Sequence, residues 1–328
     1  MPGQSDPLPA STSANAMKYS KRFRVEPGSK VKLADIDAGF KDRHEDRESA
    51  QSELEQNSRR LAELQYLMYA EDQRSLLIVL QAMDAGGKDG VVNHVISAMN
   101  PQGCAVHAFK APSAEELAHD YLWRIHRVTP AKGQVTIFNR SHYEDVLVVR
   151  VHDLVPKKVW SKRYDEINDF EQFLTENGTH VVKFFLHIDA EEQLARFKQR
   201  LDDPGRHWKI SESDYSERAY WDQYQAAFED VLEKCSTEHA PWYVIPANHK
   251  WFRNLAVSQI LVETLDSLGM KMPPARVDIA AMRAKYHAAE ALEEGGAAAD
   301  GADASSAERE AESQHGKKAK KHKDKKKS

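Results

Sequence analysis

Apolar and polar positions along the chain change period several times, and the changes mark the elements. From Arg47 to Ala70, Leu54, Leu61, Leu64, Leu67 and Met68 recur at helical spacing among charges, which predicts an amphipathic packing helix. Ser75–Leu80 then reads SLLIVL, a continuous apolar run of the length expected for a strand buried on both faces. Similar runs follow at Cys104–Phe109, Gln134–Phe138, Val181–Ile188 and Trp242–Pro246. Helical patterns lie between them: Ala114–Ile125, with Ser113 as N-cap and Glu116 completing a capping box; Lys157–Glu176 after Pro156; and residues 189–202, 214–234 and 251–268. Five strands alternating with helices predict a parallel sheet covered on both faces, an α/β fold with its ligands at the carboxyl ends of the strands.

The first buried strand runs into Gln81-Ala82-Met83-Asp84-Ala85-Gly86-Gly87-Lys88-Asp89-Gly90, and a helical pattern resumes at Val91. Strand, glycine-rich turn, lysine and helix is the order of a phosphate-binding loop. Its backbone N–H groups and helix N-terminus cradle a polyanion while the lysine neutralises outer oxygens. Two positions depart from the usual pattern: Ala82 replaces the first glycine, and Asp89 replaces the magnesium-binding hydroxyl. The third strand ends in Asn139-Arg140-Ser141-His142-Tyr143-Glu144-Asp145, where an acidic residue commonly helps to hold magnesium. Asp84, Asp89 and Glu144 are the candidate metal-binding carboxylates, in a rearranged site. Lys110 and Arg124 are candidate phosphate contacts after the second strand, whereas His119 and His142 read as structural. Arg196 and Arg200 share one helix face, Pro204-Gly205 breaks that helix, and Arg206 and Lys209 follow, so a basic, helical lid over about 196–215 is expected.

Composition adds limits. Hydrophobic residues make up 41% of the 328 and charged residues 30%, ordinary for a globular protein. Cys104 and Cys235 form no metal or disulfide framework, which fits a reducing, cytoplasmic setting. No apolar run approaches a membrane span, and the first residues carry no signal-peptide pattern. Residues 1–16 are Ser-, Pro- and Ala-rich and 285–328 are acidic, then lysine-rich; both are read as disordered tails around one catalytic domain at 17–280. The net charge of −5 hides eight lysines against one aspartate between 317 and 327. That tail keeps a non-catalytic polyanion-binding protein in view, and the loop with its lid also suits an ATP-dependent nucleoside monophosphate kinase.

The stretches LLIVLQAMDAGGKDG, APSAEELAHDYLWR, IFNRSHYEDVLVVRV, KFFLHIDAEEQLARFKQRLDDPGRHWK and APWYVIPANHKWFRN closely resemble the polyphosphate kinase 2 family, class III type. The resemblance implies a P-loop kinase-like three-layer fold with a helical lid and magnesium-dependent phosphoryl transfer, manganese being an alternative metal. The partners implied are inorganic polyphosphate with AMP, ADP and ATP, in a homo-oligomer (dimer or tetramer), with no membrane and no specific nucleic acid. It places Asp84, Lys88, Arg140 and Glu144 at the catalytic centre. Ala85, Gly86, Gly87, Asp89, Gly90, Lys110 and Asn139 would complete the phosphate and nucleotide site. Arg196, Arg200, Arg206 and Lys209 would grip polyphosphate. Asn139 and Glu144 exchange the Asp and Asn of many members, which fits the type that accepts both AMP and ADP.

Overall fold

A computed structural model describes residues 18–293. Its sheet has five parallel strands: β1 (Ser75–Ala82), β2 (Cys104–Ala108), β3 (Val135–Asn139), β4 (Thr179–His187) and β5 (Trp242–Pro246), in the spatial order β2-β3-β1-β4-β5. The central strand β1 is buried along its whole length. Its alternating side chains divide between two cores. Leu76, Ile78 and Leu80 join one with Phe252 and Leu261, while Leu77 and Val79 join the other with Phe185 and Trp242. This is the physical content of a continuous apolar strand: both faces need covering, so no alternation survives in the sequence. The register sets Leu80 beside Asn139 and Phe184, and Ala82 beside Leu186, so the segments leaving β1, β3 and β4 emerge along one edge.

Residues 18–45 dock as an arm. Val25 N–H donates to the Trp242 carbonyl at 2.9 Å and Val244 N–H to the Phe23 carbonyl at 2.9 Å, which protects the outer edge of β5. Tyr19, Phe23 and Phe40 pack edge-on or tilted around Phe252.

Several expected helices are shorter than the periodicity implies. Ala114–Ile125 resolves into Ala114–Leu117, with the Ser113–Glu116 capping box present, and Trp123–His126. Lys157–Glu176 breaks after Trp160 and resumes at Arg163. The expected helix 214–234 is two, Glu212–Arg218 and Trp221–Cys235. At the Trp160–Arg163 break the apolar spacing persists because Trp160 and Tyr164 pack in the same core, so the spacing there reports packing and not helical continuity.

The described residues from Pro273 onward fall in a second unit. Residues 279–293 are helical, which corrects the reading of 285–293 as disordered. Asp278 Oδ1 caps that helix, accepting from Ala280 N at 2.8 Å, and the alanines and glutamates that lowered the apolar signal are strong helix formers. The N-terminal tail and the lysine run lie outside the described residues. Among the described residues no helix is long and apolar enough to cross a membrane.

Candidate phosphoryl-transfer site

The loop after β1 is shaped by backbone geometry. Ala85 (φ 62°) and Gly87 (φ 102°) are left-handed, turning the backbone so that the helix Lys88–His94 starts directly at the loop. A Cβ on Gly86 would sit 2.5 Å from the Ala82 Cβ and 2.9 Å from the Met83 carbonyl oxygen. That tight reversal leaves no room for a side chain at Gly86.

Lys88 Nζ folds back to donate to the Ala82 carbonyl at 3.2 Å. Burial pushes its pKa down, and Arg140 adds to the shift, against the opposing pull of Asp84, Glu144 and Asp89. Arg140, left-handed at φ 62°, donates from Nη2 to Asp84 Oδ1 at 2.9 Å. Asn139 Nδ2 donates to Asp89 Oδ1 at 3.0 Å and Lys209 Nζ to Asp89 Oδ2 at 3.2 Å. Burial raises the Asp89 pKa, but those two donors outweigh it and hold the carboxyl below its ordinary value. The lid therefore touches the phosphate loop through Lys209.

Two cavities meet at Asp84 and Arg140. The larger, an open basin of about 1420 Å³, is lined by the loop, Lys110, Asn139, the lid and the start of the helix Lys250–Ser267. The smaller, about 250 Å³, takes in Glu144, His152, Glu217 and Tyr224. Glu144 lines the smaller cavity and Asp89 the larger. Among the described residues no group of three or more His, Cys, Asp or Glu side chains could hold a metal, so Asp84, Asp89 and Glu144 do not form one carboxylate cage. The expected three-carboxylate metal set is corrected on that point. One or two carboxylates plus phosphate oxygens suffice for a hard divalent cation, and Asp84 at the loop mouth, with only Oδ1 taken by Arg140, fits that role.

Other expected residues also take different places. Arg196 lines the basin but is buried, and its guanidinium is occupied. It donates to the Ala85 carbonyl at 2.8 Å, the Asn248 carbonyl at 3.1 Å, the Ala247 carbonyl and Glu192. It braces the phosphate loop against the segment leaving β5 and is not a free lid cation. Arg124 is buried and donates to the Lys110 carbonyl at 2.9 Å, away from the basin. Arg200 pairs with Asp214 at 3.1 Å and Arg206 with Asp203 at 2.8 Å, both at the basin wall. His142 is structural as expected, buried 3.1 Å from Glu171, which Lys183 also meets.

Sequence reasoning missed Arg253. It is 2% exposed, and its guanidinium lies where a Cβ on Gly87 or Gly90 would fall, 1.9 and 2.5 Å from its nitrogens. Its donors reach Asn254 Oδ1, and no ion pair to a carboxylate is found for it among the described residues. Burial, then repulsion from Arg196, lowers its pKa to about 10. A buried cation against a phosphate loop without a carboxylate partner is an arrangement that a bound anion would complete. The available signal was positional: Lys250 and Arg253 follow the end of β5, where the strand-end rule already placed the other groups.

Glu144 gives a pH-dependent expectation. Burial raises its pKa, with Arg140 and Lys88 opposing. The folded state therefore holds this proton more tightly than the unfolded chain, and any stability it contributes is present at low pH and fades as pH rises through the folded value. Glu144 carries charge in the site only above that raised value. The acidic limb of the kcat/KM profile is expected above the ordinary carboxylate range, and Glu144→Gln should remove the limb and lower turnover without lowering the melting temperature at neutral pH. A limb unchanged in the variant assigns it to another group.

The profile described as Polyphosphate kinase 2 (PPK2) matches residues 44–273. The chain is 51% identical over 254 residues to an AMP/ADP-polyphosphate phosphotransferase of Meiothermus ruber, covering 77% of this chain and 95% of that protein. It is 46% identical over 272 residues to an ADP-polyphosphate phosphotransferase of Rhodopseudomonas palustris, covering 78% and 94%. The crystal structure of polyphosphate kinase 2 from Arthrobacter aurescens TC1 superposes with a TM-score of 0.80 at 46% identity, over 83% of this chain and 97% of that one. With its five-stranded parallel sheet, its phosphate loop and its match across most of the described residues, the chain is an enzyme belonging to the polyphosphate kinase 2 family.

Proposed function

We propose that the enzyme transfers the terminal phosphoryl group of inorganic polyphosphate to AMP and to ADP, giving ADP and ATP, and runs in both directions. The observation that carries this reading is the basin: one phosphate loop opens into a space where Lys110, Arg200, Arg206, Lys209, Lys250 and Arg253 converge. Such a ring of cations suits a long polyanion. The smaller cavity across Asp84 and Arg140 is lined by Glu144 and Glu217, which disfavour polyphosphate there, and the basin, at about 1420 Å³, has room for the acceptor nucleotide beside the polyanion.

The chemistry asks for alignment and charge stabilisation. An anionic phosphate oxygen of the acceptor attacks the terminal phosphorus in line. A P–O bond forms to the acceptor, the P–O bond to the penultimate phosphate breaks, and polyphosphate leaves one unit shorter with the electron pair. No side-chain nucleophile is needed. Lys88 and Arg253 hold the transferring end, and Arg140, steered by Asp84, faces the junction of the two cavities. The lid, tied to Asp89 through Lys209, excludes water. Magnesium, or manganese in its place, held by Asp84 with help from Asp89, would neutralise charge on the transferring phosphates. Asn139, already bonded to Asp89, and Glu144 are proposed to set acceptance of both AMP and ADP.

The test is nucleotide product analysis with the full chain, magnesium and long-chain polyphosphate, offering AMP and ADP separately without ATP. ADP followed by ATP from AMP is expected. Reaction of ADP alone removes the AMP assignment. Transfer that appears only when ATP is the donor replaces polyphosphate with a nucleotide donor.

A further inference from the structure

Trp208 is 79% exposed in the lid turn Pro204–Lys209, and it lines the phosphate basin. Its neighbours are accounted for: Arg206 pairs with Asp203, and Lys209 reaches Asp89 on the phosphate loop. The indole itself is not. It has no aromatic partner among the described residues, and its one ring contact is Lys209 Nζ at 5.0 Å from the centroid. Trp251, the other tryptophan in the basin wall, differs in being packed against His44, His249 and Phe252.

Polyphosphate offers an indole only an acceptor for its one N–H. It has no apolar surface and no π-face, and an indole gives it a single N–H donor. Leaving so large an apolar group in water is unfavourable, and the lid's tie to the phosphate loop through Lys209 holds it over the basin. The remaining substrate does have a flat apolar face. We propose, on the strength of the polyphosphate-to-nucleotide reading above, that Trp208 stacks on the purine base of the nucleotide as the lid closes. It is then a specificity-determining residue that gives the acceptor, and not the donor, its affinity for the lid. Stacking tolerates any base, so Trp208 favours purines by ring area without discriminating adenine by hydrogen bonds.

The experiment uses the full chain, with Trp208→Ala and Trp208→Phe. In Trp208→Ala the KM for AMP and for ADP should rise roughly 10- to 100-fold, the range produced by loss of one base–aromatic stack. The KM for polyphosphate should stay within about twofold, and Trp208→Phe should recover most of the loss. A second readout needs no turnover. AMP or ADP alone should quench part of the parent's tryptophan fluorescence, and that part should be missing from both variants. An unchanged acceptor KM in Trp208→Ala overturns the inference while leaving the polyphosphate reading intact. So does a rise confined to the polyphosphate KM, which would make the indole a lid-packing group. If polyphosphate supports no transfer in the parent, the underlying reading fails instead, and the nucleotide quench still decides whether Trp208 meets the base.

Discussion

Replacing Lys88 with alanine is expected to lower kcat for transfer from polyphosphate by about a thousandfold while the protein stays folded. Its ammonium sits at the junction of β1 and the phosphate loop, held by the Ala82 carbonyl at 3.2 Å, with burial already lowering its pKa. A cation in that position is poorly solvated before substrate arrives, so little solvent must be reorganised when the transferring phosphoryl group develops charge. Removing one such preorganised donor typically costs two to three orders of magnitude, and a thousandfold corresponds to about 4 kcal/mol of transition-state stabilisation. The fold does not depend on it. β1 is anchored on both faces by apolar side chains, and the loop turn is set by Ala85, Gly86 and Gly87. Steady-state turnover at saturating AMP and polyphosphate, with a thermal melt by circular dichroism, checks both halves. A folded variant within tenfold of the parent's kcat would remove Lys88 from the catalytic centre.

The legible parts of the chain are those where one local pattern has one structural meaning. An apolar run such as Leu76–Leu80, short and followed by a glycine-rich turn, reads as a strand covered on both sides, and the parallel sheet follows from its alternation with helices. Gly86-Gly87-Lys88 after that strand fixes the phosphate loop, because only such a turn brings backbone N–H groups and a lysine together. What the sequence left hidden depends on segments far apart in the chain. Helical spacing correctly puts Arg196 and Arg200 on one face, but it carries no record of what lies opposite. The carbonyls of Ala85 and Asn248 converge on Arg196 only because β1 and β5 leave the sheet on the same edge. Arg124 and the proposed carboxylate set were misplaced for the same reason: adjacency to a strand end brings a side chain near the site without fixing which cavity it enters. The helix at 279–293 was missed on different grounds. Alanine and glutamate suppress the apolar signal while favouring helix, so a search for buried periodicity passes over it.

Arg253→Met is expected to move activity and stability in opposite directions, which separates a substrate-binding charge from a structural one. A structural arginine is paired, and losing it leaves a carboxylate stranded and the protein weaker. Arg253 is buried in the basin wall, its side chain bonded only to the Asn254 side chain and crowded by Arg196. Lowering a guanidinium from its ordinary value to about 10 corresponds to about 3 kcal/mol of unfavourable environment for the charged form. Methionine keeps most of the stem's packing and discards the charge. The melting temperature without substrate should therefore rise, by up to about 6–12 °C if the whole penalty is relieved at roughly 2–4 °C per kcal/mol for a domain of this size. Polyphosphate reverses the sign. Its phosphates supply the anion that Arg253 lacks, so the parent should gain thermal stability on adding polyphosphate and the variant should gain much less. Transfer should fall by about a hundredfold or more, with the KM for polyphosphate rising and the KM for AMP little changed. Thermal melts with and without polyphosphate, beside steady-state kinetics, give all four quantities. A variant that melts lower than the parent and still binds polyphosphate normally would make Arg253 a structural residue, and the unpaired charge beside Gly87 and Gly90 would then need another purpose than holding the donor.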